Sequence, residues 1–167
     1  MNPIKLKVVN ELLMKWGTPI RQTPKSAGYD LHACIETELV IPPEATVIVP
    51  TGIALDIEDP DIVGLLYARS GLALKHGLSL ANGVGVIDAD YQGEINVLLR
   101  NESWEDHTVR PGDRIAQLVF APVLHPPLAI VASFLSTTER GTEGFGSTGV
   151  TSDSSGELQP TNDLGIS

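Results

Sequence analysis

The apolar residues of this chain come in short runs, and turn-forming residues stop many of them. Ile4–Val9, Glu38–Ile41, Ala45–Val49, Gly52–Ile57, Ile62–Tyr67, Glu94–Leu99, Arg114–Phe120 and Leu128–Val131 read as strands. Between them stand Pro42-Pro43, Pro50, Asp59-Pro60-Asp61, Pro111-Gly112 and Pro126-Pro127, residues that preset or permit a turn. Short runs with this punctuation predict an all-β sandwich or barrel. Ser70–Lys75 is the one helix expected in the middle of the chain, with Ser70 as its N-cap. Aromatics make up only 5%, so the core must rest on Val, Ile, Leu and Ala.

Size and charge narrow the function. The 167 residues suit one domain, able to bury roughly 70% of its unfolded surface. A net charge of -10 argues against a surface that coats nucleic acid, which needs clustered Lys and Arg. The single cysteine, Cys34, excludes an internal disulfide and a Cys-rich zinc site. No apolar stretch approaches the roughly 20 residues of a membrane span. Residues 1–15 carry no secretory h-region, so a cytoplasmic protein with no membrane partner is expected.

Two regions break the strand pattern. Arg140–Gly149 holds four Gly in ten residues and cannot be a packed strand. Residues 150–167 are polar, with Asp153, Glu157 and Asp163 and no Lys or Arg, and read as a disordered acidic tail. The expected organisation is a barrel over 1–135, a Gly-rich arm over 136–149 and the tail over 150–167.

Three constellations carry chemistry. Gly85–Glu94 reads as a β-hairpin with a long acidic tip, where strand burial beside Val86-Ile87 would orient Asp88 as a general base; its bland alternative is a solvated turn. In Arg69-Ser70-Gly71 a strand gives way to a helix start, a phosphate seat or an ordinary cap. Arg140–Gly149 joins free backbone, an Arg, hydroxyls and Phe145, which a plain linker has little use for. His32, His76, His107 and His125 lack zinc-ligand spacing, whereas Asp30 and Asp88 suit a hard ion such as Mg²⁺.

In order, Ala27-Gly28-Tyr29-Asp30-Leu31, Arg69-Ser70-Gly71, Gly85-Val86-Ile87-Asp88-Ala89-Asp90-Tyr91-Gln92-Gly93-Glu94, Gly112-Asp113-Arg114-Ile115-Ala116-Gln117-Leu118 and the Arg140–Gly149 segment resemble the five motifs of the homotrimeric deoxyuridine triphosphatases, the dUTPases. The resemblance runs from about Lys5 to Gly149. It implies a jelly-roll-like β-barrel with one short helix and a flexible C-terminal arm, and a homotrimer whose active sites are shared between subunits. It also implies Mg²⁺-dependent hydrolysis of dUTP to dUMP and pyrophosphate, which limits uracil incorporation into DNA and supplies dUMP for dTTP synthesis. By the same resemblance Asp88 orients the water that attacks the α-phosphate, Asp30 holds waters around Mg²⁺, and Arg69 helps position the catalytic carboxylate. Ser70 and Gly71 would hold the phosphate chain, with Gln117 near the α-phosphate. Asn82, Val86 and Ile87 would read uracil, Asn96 would lie near the pocket floor, and Tyr91 would pack under the sugar. Arg140, Gly146, Ser147 and Thr148 would close on the substrate, with Phe145 stacked on the base.

Ala68 departs from the resemblance, because the second motif commonly opens with Pro; the tail after Gly149 is longer than typical. A dCTP deaminase on the same fold would use a Glu as proton shuttle and release ammonia, whereas this chain has the Asp88 and Tyr91 segment and the Phe145 arm. A nucleotide-sensing or partner-binding protein, with the tail as its interaction segment, is the alternative of a different class.

Overall fold

The computed structural model describes residues 3–142, and the chain divides into two units, Met1–Pro126 and Pro127–Ser167. In the first unit, β1 (Lys5–Val8), β4 (Thr46–Asp56), β8 (Glu94–Asn101) and β6 (Leu78–Leu80) lie side by side in that order, all antiparallel. A second antiparallel sheet runs β2 (Tyr29–His32), β10 (Arg114–Pro122), β5 (Ile62–Tyr67) and β7 (Gly85–Ile87). β3 (Leu39–Ile41) and β9 (His107–Val109) make a separate ribbon. A 3-10 helix, Glu11–Lys15, follows β1, and α1 (Ser70–His76) follows β5. This is the jelly-roll-like β-barrel, with one short α-helix among the described residues.

The sheets face one core because their apolar residues alternate. Along β8, Ile95, Val97 and Leu99 point inward and are buried, while Asn96 is exposed. They share a cluster with Leu31, Ile115 and Leu118 of the second sheet. Each such side chain contributes about 1.5–3 kcal/mol by leaving water.

Four local expectations change. Ala45–Val49 and Gly52–Ile57 are one strand, β4: a register shift between Pro50 and Ala54 absorbs the break. Gly52 makes the shift feasible, at φ +74°, and a Cβ there would lie 2.7 Å from Cys34 Sγ. The Gly85–Glu94 segment is not a hairpin, since β7 pairs with β5 and β8 pairs with β4 and β6; residues 88–93 cross from one sheet to the other. At α1 the N-cap is Arg69, with no side-chain cap bond, and Ser70 is the first helical residue. Leu128–Val131, in the second unit, forms no strand, and Leu128 and Ile130 are exposed. Among the described residues no helix is long and apolar enough to cross a membrane.

Candidate active site

Asp30 is a buried carboxylate, which must find charged or hydrogen-bonding partners. It finds two guanidiniums. Arg69, just before α1, places Nε 3.2 Å from one carboxylate oxygen. Arg114, at the start of β10, places Nη1 3.1 Å from the other. Arg69 Nη1 also donates to the Arg114 carbonyl at 3.1 Å, tying the two arginine segments together. Two cations on one anion leave a net positive spot on an acidic protein, and such charge-assisted bonds are strong and directional. Pairing of β2 with β10 sets Gln117 opposite Asp30. Gly28 lies against it, because a Cβ there would come within 2.9 Å of Gln117 Oε1. Ser70 and Gly71 are exposed at the start of α1, where helix N–H groups lack partners within the helix. His32 sits opposite Arg114; burial pushes its imidazole below the usual value, with the two arginines adding to that and Asp30 opposing it.

The second assembly is a pocket of about 360 Å³ lined by Ile48, Asn82, Val86, Ile87, Asp88, Tyr91, Ile95, Asn96 and Leu98. Tyr91 Oη donates to the Glu94 carbonyl at 3.0 Å, and Asn96 Nδ2 donates to the same oxygen at 3.1 Å. Gly93 leaves room for the Tyr91 ring: a Cβ there would meet Tyr91 Oη at 2.6 Å. Asp88 stands on the rim between this pocket and a neighbouring cleft of about 930 Å³. It is exposed, against the expectation that strand burial would hold it. β7 alternates buried Gly85, exposed Val86 and buried Ile87, so the next residue falls outside.

The two assemblies do not meet within this chain. Asp30 is on β2 and Asp88 follows β7, the opposite edges of one four-stranded sheet. Three strand spacings separate those edges, about 14 Å. Arg69 therefore serves Asp30 in its own chain. Arg140 lies in the second unit, beside a turn in which the Gly141 N–H donates to the Thr138 carbonyl at 3.0 Å. Phe145, Gly146, Ser147 and Thr148 lie outside the described residues. Sequence reasoning passed over Arg114 as a site residue, and over Ile48, Ile95 and Leu98 in the pocket. Arg114 did stand in the fourth motif, but its reach to Asp30 accompanies a β-bulge between Arg114 and Ala116.

A β-barrel with a nucleoside-sized pocket on one sheet connection and a carboxylate locked between two arginines has the parts of a nucleotide-handling protein of the jelly-roll class. The dUTPase family model matches residues 14–149, and this chain belongs to the dUTPase family. Among its relatives, the deoxyuridine 5'-triphosphate nucleotidohydrolase of Psychrobacter cryohalolentis is 44% identical, over 89% of this chain and 99% of that one. The enzyme of the same name from Hydrogenovibrio crunogenus is 50% identical, over 76% of this chain and 83% of its own. The structure of the Staphylococcus bacteriophage 80alpha dUTPase with dUPNHPP superposes with a TM-score of 0.76 at 30% identity, covering 90% of this chain and all of that one. A dUTPase from phage phi11 of S. aureus, described with a structural Mg(II) ion, gives 0.71 at 25% identity, over 81% of this chain and all of that one.

Proposed function

We propose that this chain hydrolyses dUTP to dUMP and pyrophosphate, in the cytoplasm, at sites shared between the subunits of a homotrimer. The observation that carries the reading is a pocket of about 360 Å³, roomy enough for a nucleoside, with Asp88 in its lining and inside the segment that matches the family. Uracil enters that pocket, where backbone groups around Val86 and Ile87 and the Asn82 amide pair with its edge. A wrong base would leave buried polar groups unpaired. Tyr91 packs under the deoxyribose and leaves no room for a 2′-hydroxyl, with Asn96 on the pocket wall. Asp88 orients a water in line with the α-phosphate and takes its proton as general base.

The phosphates extend to Ser70, Gly71 and Gln117, beside the Asp30, Arg69 and Arg114 cluster. Within one protomer the opposite sheet edges are about 14 Å apart, whereas a base acts through a single water at hydrogen-bond reach. Bringing Asp88 of one copy to the phosphate seat of another resolves the mismatch and supports a composite site. Arg140, Gly146, Ser147 and Thr148 add donors at the γ-phosphate and Phe145 stacks on uracil, roles that rest on the fifth motif.

Asp30 already spends an oxygen on each arginine. Among the described residues no group of three His, Cys, Asp or Glu gathers to cage an ion. The residues therefore fit Mg²⁺ only as an ion carried on the substrate phosphates, with Asp30 reached through water. Bound there, the ion supplies charge neutralisation for phosphoryl transfer.

The test is incubation with dUTP, dCTP, dTTP and UTP plus Mg²⁺, with pyrophosphate and ammonia measured separately. Pyrophosphate from dUTP alone is expected; ammonia from dCTP would overturn the reading. Sedimentation of the active species tests the trimer, and a fully active monomer would refute the shared site.

A further inference from the structure

α1 contributes no buried residue, so its seat depends on a few side chains of its inner face. Arg69, Leu72 and His76, spaced three and four residues apart, line one cleft of about 290 Å³ together with His107. Arg69 fastens the start of the helix to Asp30 at 3.2 Å. At its end the ring of His76 rests on that of His107 of β9, with centroids 4.7 Å apart and planes inclined by 51°. Both rings also line a second cleft of about 420 Å³ and so stand between the two. His76 is exposed and His107 half-buried, so both rings can exchange protons with solvent.

Charged groups surround the pair from every side. Arg69 stands just before α1 and Lys75 on it, and Glu105 and Asp106 come from the loop before β9. Arg110 follows β9, and Asp113 and Arg114 come from the turn into β10 and its first residue. Arg110 is paired with Glu38 at 3.2 Å, and its backbone N–H donates to Asp113 at 2.8 Å. Burial pushes the His107 imidazole below its ordinary value, and the neighbouring His76 adds to the effect; Asp113 opposes it and Arg110 reinforces it.

We propose that His76 and His107 form a titratable clasp, which holds α1 against β9 while the rings are neutral and lets the end of the helix shift when both take up protons. The inference rests on the proposed role of Ser70 and Gly71, at the start of the same helix, in holding phosphates. Neutral imidazoles pack, whereas two imidazolium ions at this separation repel by about fourfold in an equilibrium even at the dielectric of bulk water. An opposing effect, direct attraction of the new charges for phosphate, acts over a longer distance. His76 is six residues from Ser70, about 9 Å along the helix axis, which exceeds the screening length of about 8 Å at physiological ionic strength. A cation at a helix C-terminus also favours the helix itself. The expected response is more frequent opening of the C-terminal end of the helix, and a weaker grip on substrate.

The test uses the full chain and His107→Phe, which keeps a ring and removes a proton site. On going from pH 7.5 to 5.5, the KM for dUTP of the native chain should rise more than that of the variant, by up to about fourfold. Amide exchange over residues 72–77, corrected for its intrinsic pH dependence, should accelerate only in the native chain. KM profiles that superimpose, or exchange that does not differ, overturn the clasp. His76→Gln is the second variant should His107→Phe fail to fold, and it should show the same smaller rise in KM. Absence of dUTP hydrolysis at every pH would remove the proposed function, and the exchange measurement would still judge the clasp alone.

Discussion

Asn101→Ala is expected to destabilise the fold by about 4 kcal/mol, from four side-chain hydrogen bonds at about 1 kcal/mol each. Asn101 is fully buried at an inward position of β8 that Ile95, Val97 and Leu99 would lead one to fill with an apolar residue. Its amide nitrogen donates to the carbonyls of Ile41 and Glu105, both at 2.8 Å. Its amide oxygen accepts from the Ser103 backbone N–H at 2.9 Å and the Ser103 hydroxyl at 2.7 Å. One side chain thus ties β8, β3 and the 102–106 loop, and Ala would leave the Ile41 carbonyl without this donor. Urea unfolding at fixed protomer concentration measures the loss, with the m-value checked for constancy. Asn101→Asp keeps the shape and the acceptor but turns the donor into a buried carboxylate facing two carbonyls, so it should cost at least as much at pH 7.5. A loss below 1 kcal/mol for Ala would refute the reasoning, because water or a shifted loop would then be satisfying those groups.

Gly93→Ala puts a methyl where Tyr91 Oη now lies; the displaced ring should raise the KM for dUTP and narrow the preference for dUTP over UTP by about tenfold, read from kcat/KM on both. Arg114→Met removes one of the two arginines on Asp30 and should lower kcat/KM by about tenfold or more. Arg114→Lys should rescue it poorly, because an ammonium cannot reproduce the guanidinium fork. His32 and His107 both have imidazole pKa values below the usual 6.5, chiefly through burial. Their unfolded forms bind protons more readily, so the stability they confer is present above pH 6.5 and is lost as pH falls through the folded values. The urea midpoint should therefore drop between pH 7 and 5, and His32→Phe should flatten part of that drop.

What the chain reveals before folding depends on how local the cause is. Ile62–Tyr67 reads as a strand to the residue because Asp59-Pro60-Asp61 stops it on one side and Arg69-Ser70-Gly71 begins something else on the other. β2 escapes notice because Tyr29–His32 is short and carries Asp30 and His32; its pairing with β10 makes it a strand. Pro50 reads as a strand end, yet the Gly52 bulge lets β4 continue. Motif order picks out Asp30, Arg69 and Asp88 without geometry. The ion pair of Arg114 with Asp30, 84 residues away along the chain, has no local signature. The sheet crossing at residues 88–93 was equally hidden, since strand, turn and strand look alike whether or not the strands pair with each other.

The placement of Asp30 and Asp88 at opposite edges of one sheet has a genetic consequence. If each working site draws one edge from each of two subunits, then a chain broken at Asp88 and a chain broken at Arg69 are not equivalent losses. Expressed together in the proposed trimer, they would form mixed assemblies in which some sites unite the two intact halves, so alleles that are each inactive alone would restore part of the activity. A defective copy expressed beside a sound one lowers the number of whole sites in each assembly according to dosage. Dominance and complementation at this locus would thus follow from strand order.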